Sequence, residues 1–148
     1  MPALRTPFRS QMREAAVTLL ADYAEDRAIK LQVYPGRPRS IMPPTAFVDR
    51  FTERVVYIGP TQMQRTPVCE VIVLHGLFDS KDAVDQADAF VDGFLDWQTD
   101  RVHSAGTNTE IAAVTVEDDP EFTPTWQPPE VQRTYYATRI SLEGLALD

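Results

Sequence analysis

Apolar positions between residues 7 and 28 recur at steps of three and four: Phe8, Met12, Ala15/Ala16, Leu19 and Tyr23. That spacing stacks side chains along one side of a 3.6-residue helix, so the segment reads as an amphipathic helix. Thr6 followed by Pro7 supplies an N-cap and first-turn pair. Ile29, Leu31 and Val33 then alternate with Lys30 and Gln32, the period-two pattern of a half-buried strand. Residues 34–45 hold Pro35, Pro38, Pro43 and Pro44 and read as an extended surface loop, because proline lacks a donor and fixes φ. Strand character resumes over residues 46–58, with Phe47, Asp49 and Phe51 expected opposite to Val48, Arg50 and Thr52. Residues 59–67, bounded by Gly59-Pro60 and Pro67, read as a long hairpin connection. In residues 68–75 β-branched side chains fall on both faces, which places this strand centrally in a sheet.

A second helix follows, with Asp79 placed to cap it and Asp82 three residues on. Val84, Ala87, Val91, Phe94/Leu95 and Val102 are expected on its inner face. Asp85, Asp88, Asp92, Asp96 and Asp100 run at steps of three and four along the opposite side. At 100° per residue these carboxylates share an arc of about 120°, a continuous acidic stripe. Beyond Gly106 and Asn108, residues 110–117 alternate as a strand. Residues 118–130 read as a second proline-rich loop carrying Phe122 and Trp126. Residues 131–142 form a last strand, with Tyr136, Ile140 and Leu142 on one face and Tyr135, Arg139 and Ser141 on the other. The order α-β-β-β-α-β-β predicts an α+β fold: a single domain over residues 1–148, one mixed or antiparallel sheet, and two helices packed on one face.

Length and composition agree with one self-sufficient core. A chain of 148 residues buries roughly 68–70% of its unfolded surface without help from metals or disulfides. Cys69 is the lone cysteine, which excludes an internal disulfide and a multi-thiolate zinc site. No run approaches the ~20 apolar residues of a membrane span, and the arginine-bearing N-terminal stretch has no apolar core of a secretory signal. The expectation is an acidic, soluble domain, intracellular or particle-bound, without membrane association.

Charge is unevenly distributed. Residues 1–67 carry ten basic and six acidic groups, whereas residues 68–148 carry four basic and sixteen acidic ones. Two faces of opposite sign suit head-to-tail association of identical subunits, although two lobes of one domain also differ in sign without consequence. No basic patch interleaved with aromatics is present, so the chain is a poor nucleic-acid reader.

Motifs for chemistry are scarce. The six glycines are dispersed and form no phosphate loop, and no GxSxG elbow occurs. His75, Asp79 and Asp82 sketch a divalent-metal site at a strand-to-helix junction, the basis of an alternative reading as a small metal-dependent hydrolase, but the spacing matches no ligand signature. Cys69 lies about 20 Å from His75 along an extended strand, too far for a Cys–His pair, and reads as a small core residue. The aspartate stripe has four readings: a solvated helix face, a surface met by a partner's arginines, an acidic wall beside passing DNA, or a divalent-cation site.

Taken together, Phe47-Val48-Asp49-Arg50, the Arg65-Thr66-Pro67 turn, the strand over residues 71–74, the helix over residues 85–97 and the strand over residues 135–144 resemble the tail terminator (tail completion) proteins of long-tailed bacteriophages. The resemblance covers about residues 10–145. It implies a small α+β subunit that closes into a ring, a hexamer, on the last ring of the major tail tube protein. Such a ring stops tube polymerisation and presents the surface on which the head-tail connector protein docks. DNA passes through the lumen without sequence-specific binding, and neither catalytic residues, metal nor cofactor is implied. The location implied is the virion, at the head-tail junction, with the host cytoplasm as the site of assembly. Another neck component, a head-closure or adaptor subunit, is the nearest alternative.

Residues expected at the subunit interface, partner surface or lumen are Arg37 and Arg39 in the first loop and Gln62, Met63 and Arg65 at the hairpin tip. Opposite them stand Asp85, Asp88, Asp92 and Asp96 of the stripe and the Glu117, Asp118, Asp119 and Glu121 cluster. The long proline-rich loops are expected to be arms that order on contact with tube or connector.

Overall fold

The computed structural model describes residues 8–99 and 109–147. Its elements are α1 (Phe8–Asp26), β1 (Gln32–Tyr34), β2 (Thr45–Tyr57), β3 (Met63–Leu77), α2 (Lys81–Thr99), β4 (Thr109–Phe122), a short 3₁₀ turn (Pro129–Val131) and β5 (Tyr135–Leu147). The helix and strand order is the expected α-β-β-β-α-β-β. The five strands form one mixed sheet in the order β1-β2-β3-β5-β4, with β1 parallel to β2 and every other pair antiparallel.

Both helices pack on one face of this sheet. Leu19, Leu20 and Tyr23 of α1 and Phe90, Phe94 and Trp97 of α2 close over Val48, Cys69, Val71, Val73, Ile140 and Leu142. The buried row of α2 is Ala83, Ala87, Phe90, Phe94 and Trp97, again at steps of three and four. Val84, expected inside, is 37% exposed, while Val91 packs at the edge of the core. Val102, Asp100 and the Thr6-Pro7 pair lie outside the described residues. The helix begins at Lys81, so Ser80 rather than Asp79 holds the capping position.

The opposite face carries a second core of Phe47, Ile72, Leu74, Phe122, Tyr135 and Ala137, with Trp126 packed onto it. β2, β3 and β5 each feed both cores, and in β2 the alternation is interrupted. Asp49 has no cross-strand partner and forms a bulge between Val48↔Val71 and Arg50↔Glu70. The extra residue reverses the alternation. Phe47 therefore points to the loop-covered face and Phe51 to the helical face, where Arg9 and Arg13 of α1 lie over its ring. The expectation that Phe47 and Phe51 share a face fails at this bulge.

Three further boundaries differ from expectation. The connection read over residues 59–67 is shorter, because β3 already starts at Met63 and Pro67 sits within it opposite Glu53. Proline is tolerated there because the β3–β5 ladder skips from Arg65↔Ala146 to Val68↔Glu143. The loop read over residues 118–130 starts only after Phe122, because β4 continues through Glu117, Asp118, Asp119 and Glu121 with a bulge between Asp119 and Phe122. Finally, β5 begins at Tyr135, Val131 belonging to the 3₁₀ turn and residues 132–134 to neither element.

α1 ends in a Schellman arrangement. The Ile29 N–H donates to the Ala24 carbonyl at 2.8 Å and the Ala28 N–H to that of Glu25 at 3.2 Å. Ala28 accordingly takes φ 55°, a left-handed conformation that a side chain disfavours.

Candidate assembly surface

The residues singled out from the sequence fall on three surfaces. The outer side of α2 presents Asp85, Asp88, Asp92 and Asp96, all exposed, opposite the buried aromatic row. Asp82 stands in the first turn, where the helix dipole favours a carboxylate, and the last turn holds no basic residue to balance the rest. Asp88, Asp92 and Asp96 are spaced at i,i+4, a like-charge arrangement that costs a few tenths of a kcal/mol per pair.

The second surface is the edge strand β4. Glu117, Asp118 and Glu121 are exposed. Asp119 is instead engaged within the domain. It accepts from Arg139 Nε and Nη2 at 3.3 and 3.2 Å, while Arg139 Nη1 donates to Glu70 Oε1 at 2.7 Å. Asp118 accepts from the Tyr136 hydroxyl at 3.4 Å. The acidic cluster thus divides into Asp118 and Asp119, hydrogen-bonded within the domain, and the exposed Glu117 and Glu121.

The third surface comprises the loop over residues 35–44 and the β2–β3 hairpin. Arg37 donates to Asp49 Oδ1 at 3.1 Å and lies 4.9 Å from the centroid of the Trp126 ring. The carbonyl of Pro38 accepts from Trp126 Nε1 at 3.0 Å and from Gln127 Nε2 at 3.1 Å. The two proline-rich loops are therefore packed on each other as a cover for the second core. Arg39 stays exposed and, with Ser40, Ile41, Gln127 and Tyr135, lines a cavity of about 220 Å³. At the hairpin tip Gln62 is exposed, its carbonyl accepting from the Ile58 N–H at 3.1 Å. Met63 is half-buried. Arg65 lies inside β3 rather than at the tip and holds Glu53 through Nε at 3.1 Å and Nη2 at 2.9 and 2.7 Å.

Two features escaped the sequence reading. Val55, Val56, Tyr57 and Ile58 make a run of exposed apolar side chains on the hairpin arm. The signal was the unbroken VVYI string just before Gly59-Pro60, where no polar alternation marks a solvent face. The other feature is a cavity of about 410 Å³ lined by Tyr23, Arg27, Ile29, His75, Phe90 and Gly93, residues brought together from separate elements.

His75 itself is turned inward. It is 4% exposed, with Nε2 at 2.9 Å from Thr138 Oγ1 and its ring edge-on to Phe90 at 5.5 Å. Burial lowers its pKa to about 4, opposed by the nearby Asp118 charge. Asp79 and Asp82 are exposed, and among the described residues no group of three or more His, Cys, Asp or Glu is placed to hold a metal ion. The His75, Asp79 and Asp82 constellation is thus not assembled. Cys69 is fully buried, and burial pushes its thiol up to about 11, as suits a core residue. Among the described residues no helix is long and apolar enough to cross a membrane.

No protein-family model and no curated protein matches this chain.

Proposed function

We propose that the chain is a structural virion subunit, a tail terminator, that closes with copies of itself into a hexameric ring on the end of the phage tail tube. In this reading the ring stops polymerisation of the tube protein and offers the head connector its docking face. DNA passes through the lumen unread, and the reading assigns the chain no catalysis and no cofactor.

The observation that carries the reading is where the resembling segments fall. They lie on β2, β3, α2 and β5 of one small α+β unit, the fold class that the resemblance implies. The outward carboxylates of α2 and β4 add support, since a ring joint or a DNA-lined lumen gives such a surface a purpose.

The test is a capping assay. Added to polymerising tail-tube subunits, the protein should shorten the tubes and be found at their ends by electron microscopy. Unchanged tube lengths would overturn the reading. Binding to filled heads rather than to isolated tails would assign the subunit to another part of the neck.

A further inference from the structure

The sheet ends in two open edges whose chemistry is complementary. On one side β4 pairs only with β5 among the described residues. On the other, β1 covers β2 only over Thr45–Phe47, so the outer side of β2 from Val48 to Tyr57 has no strand partner among the described residues. Rows of unpaired backbone N–H and C=O groups are templates for another strand.

Strand direction favours a joint between these two edges. β1, β2 and β5 run one way, and β3 and β4 the other. Copies set side by side in the same orientation bring β4 of one against β2 of the next in antiparallel fashion, the more frequent geometry.

Face and charge select a register. Val114 and Val116 of β4 stand opposite Leu142 and Ile140 and so face the helical side. Val55 and Tyr57 of β2 are in phase with Phe51, which faces the same side. Setting Tyr57 opposite Val114 and Val55 opposite Val116 keeps the helices of both copies on one face. Tyr57, 77% exposed in the single chain, then gains an apolar neighbour. The same register sets Val56 opposite Thr115 and Arg54 opposite Glu117, both of the latter exposed. Glu53 falls opposite Asp118, with its charge met by Arg65. By this alignment β4 runs out at Phe122 level with Asp49, short of the stretch that β1 occupies.

We infer that the partner of the β4 edge is the β2 edge of a second copy of this chain, joined by antiparallel strand addition with Arg54 against Glu117. The inference rests on the ring reading above and names its joint. The continuous sheet would run from copy to copy, covering the β4 edge and the open stretch of β2.

The test is disulfide trapping in the full chain carrying Val56→Cys and Thr115→Cys, oxidised alone and in the presence of polymerising tail-tube subunits. Opposed residues of an antiparallel pair lie within bridging reach. Cys69 is fully buried and does not compete. A ladder of cross-linked species beyond the dimer is expected, whereas each single-cysteine variant links two chains at most. Arg54→Glu should abolish the ladder, and adding Glu117→Arg to it should restore the ladder; failure to restore overturns the register. Capped tubes or stable oligomers without a ladder overturn the joint and leave the ring reading standing. A ladder with unrestricted tube growth upholds the joint and removes the capping reading. A monomer in every condition, with no ladder, overturns both.

Discussion

The Tyr23 hydroxyl of α1 donates a 2.9 Å hydrogen bond to the Phe90 carbonyl inside α2, and the ring of Tyr23 contacts those of Phe90, Phe94 and Trp97. Gly93 makes this approach possible, since a Cβ there would meet the Tyr23 hydroxyl at 2.4 Å. The tyrosine is 1% exposed and held by its hydrogen bond to the Phe90 carbonyl and by three aromatic rings, so any move away from an added methyl loses those contacts. Gly93→Ala is therefore expected to destabilise the fold by about 1–3 kcal/mol, despite the better helix propensity of alanine. Chemical denaturation of the variant, alone and combined with Tyr23→Phe, measures this. The second substitution should recover part of the loss by removing the clashing oxygen.

Phe94 is fully buried between the helices and the sheet. Truncation to alanine leaves a cavity bounded by the three aromatic rings of Tyr23, Phe90 and Trp97 and should cost about 3–5 kcal/mol. A shift in urea midpoint without a change in slope is the expected form of the result.

His75 couples stability to acidity. Its folded pKa of about 4 lies below the ordinary value of 6.5 because burial penalises the imidazolium. The unfolded chain thus binds the proton more readily between those values. The stability contributed by neutral His75 is complete above about pH 6.5 and falls away as the pH drops toward 4, by about 3 kcal/mol at most. Comparing wild type with His75→Gln across pH 4–7 isolates this from the carboxylates. The variant should show the shallower loss toward acid.

Ala28 occupies the left-handed position that ends α1. Ala28→Gly removes the Cβ penalty, partly offset by the greater freedom of glycine in the unfolded chain. A gain of about 0.5–1 kcal/mol is expected, read as a higher thermal midpoint.

Reversing Asp88 and Asp92 to arginine should leave the domain folded, since both are exposed and the change relieves repulsion along α2. Circular dichroism should be unchanged while tube capping is altered. Normal capping by the double variant would reduce the stripe to a solvated face.

Much of this architecture was readable from periodicity, and the misreadings have specific causes. The acidic side of α2 is legible because its aspartates keep a separate phase from the row of Ala83, Ala87, Phe90, Phe94 and Trp97. The inner row was set one position away at Val84 because two apolar candidates, Ala83 and Val84, stand side by side and volume favours the wrong one. β4 was cut short at Asp118 because Asp-Asp-Pro is loop-like in composition, yet an edge strand tolerates both charge and proline. Pro67 misleads for another reason, since it lies in the central strand β3 at a place where the β3–β5 ladder skips. The β2 bulge at Asp49 left no mark on the alternation, so the opposed placement of Phe47 and Phe51 was not legible. Arg37, Arg65 and Asp119 are all paired within the chain, although Arg37 stays exposed. Their intramolecular partners are twelve residues away for the two arginines and twenty for Asp119, beyond the reach of local pattern.

The clasp between Pro38 and the Trp126-Gln127 pair makes one lid of two loops that lie far apart in the chain. Neither loop can be lifted alone without breaking hydrogen bonds to the other and wetting Phe47 beneath Trp126. A pull on either loop is therefore passed to the other through these bonds, so the two resist as a single latch over the sheet.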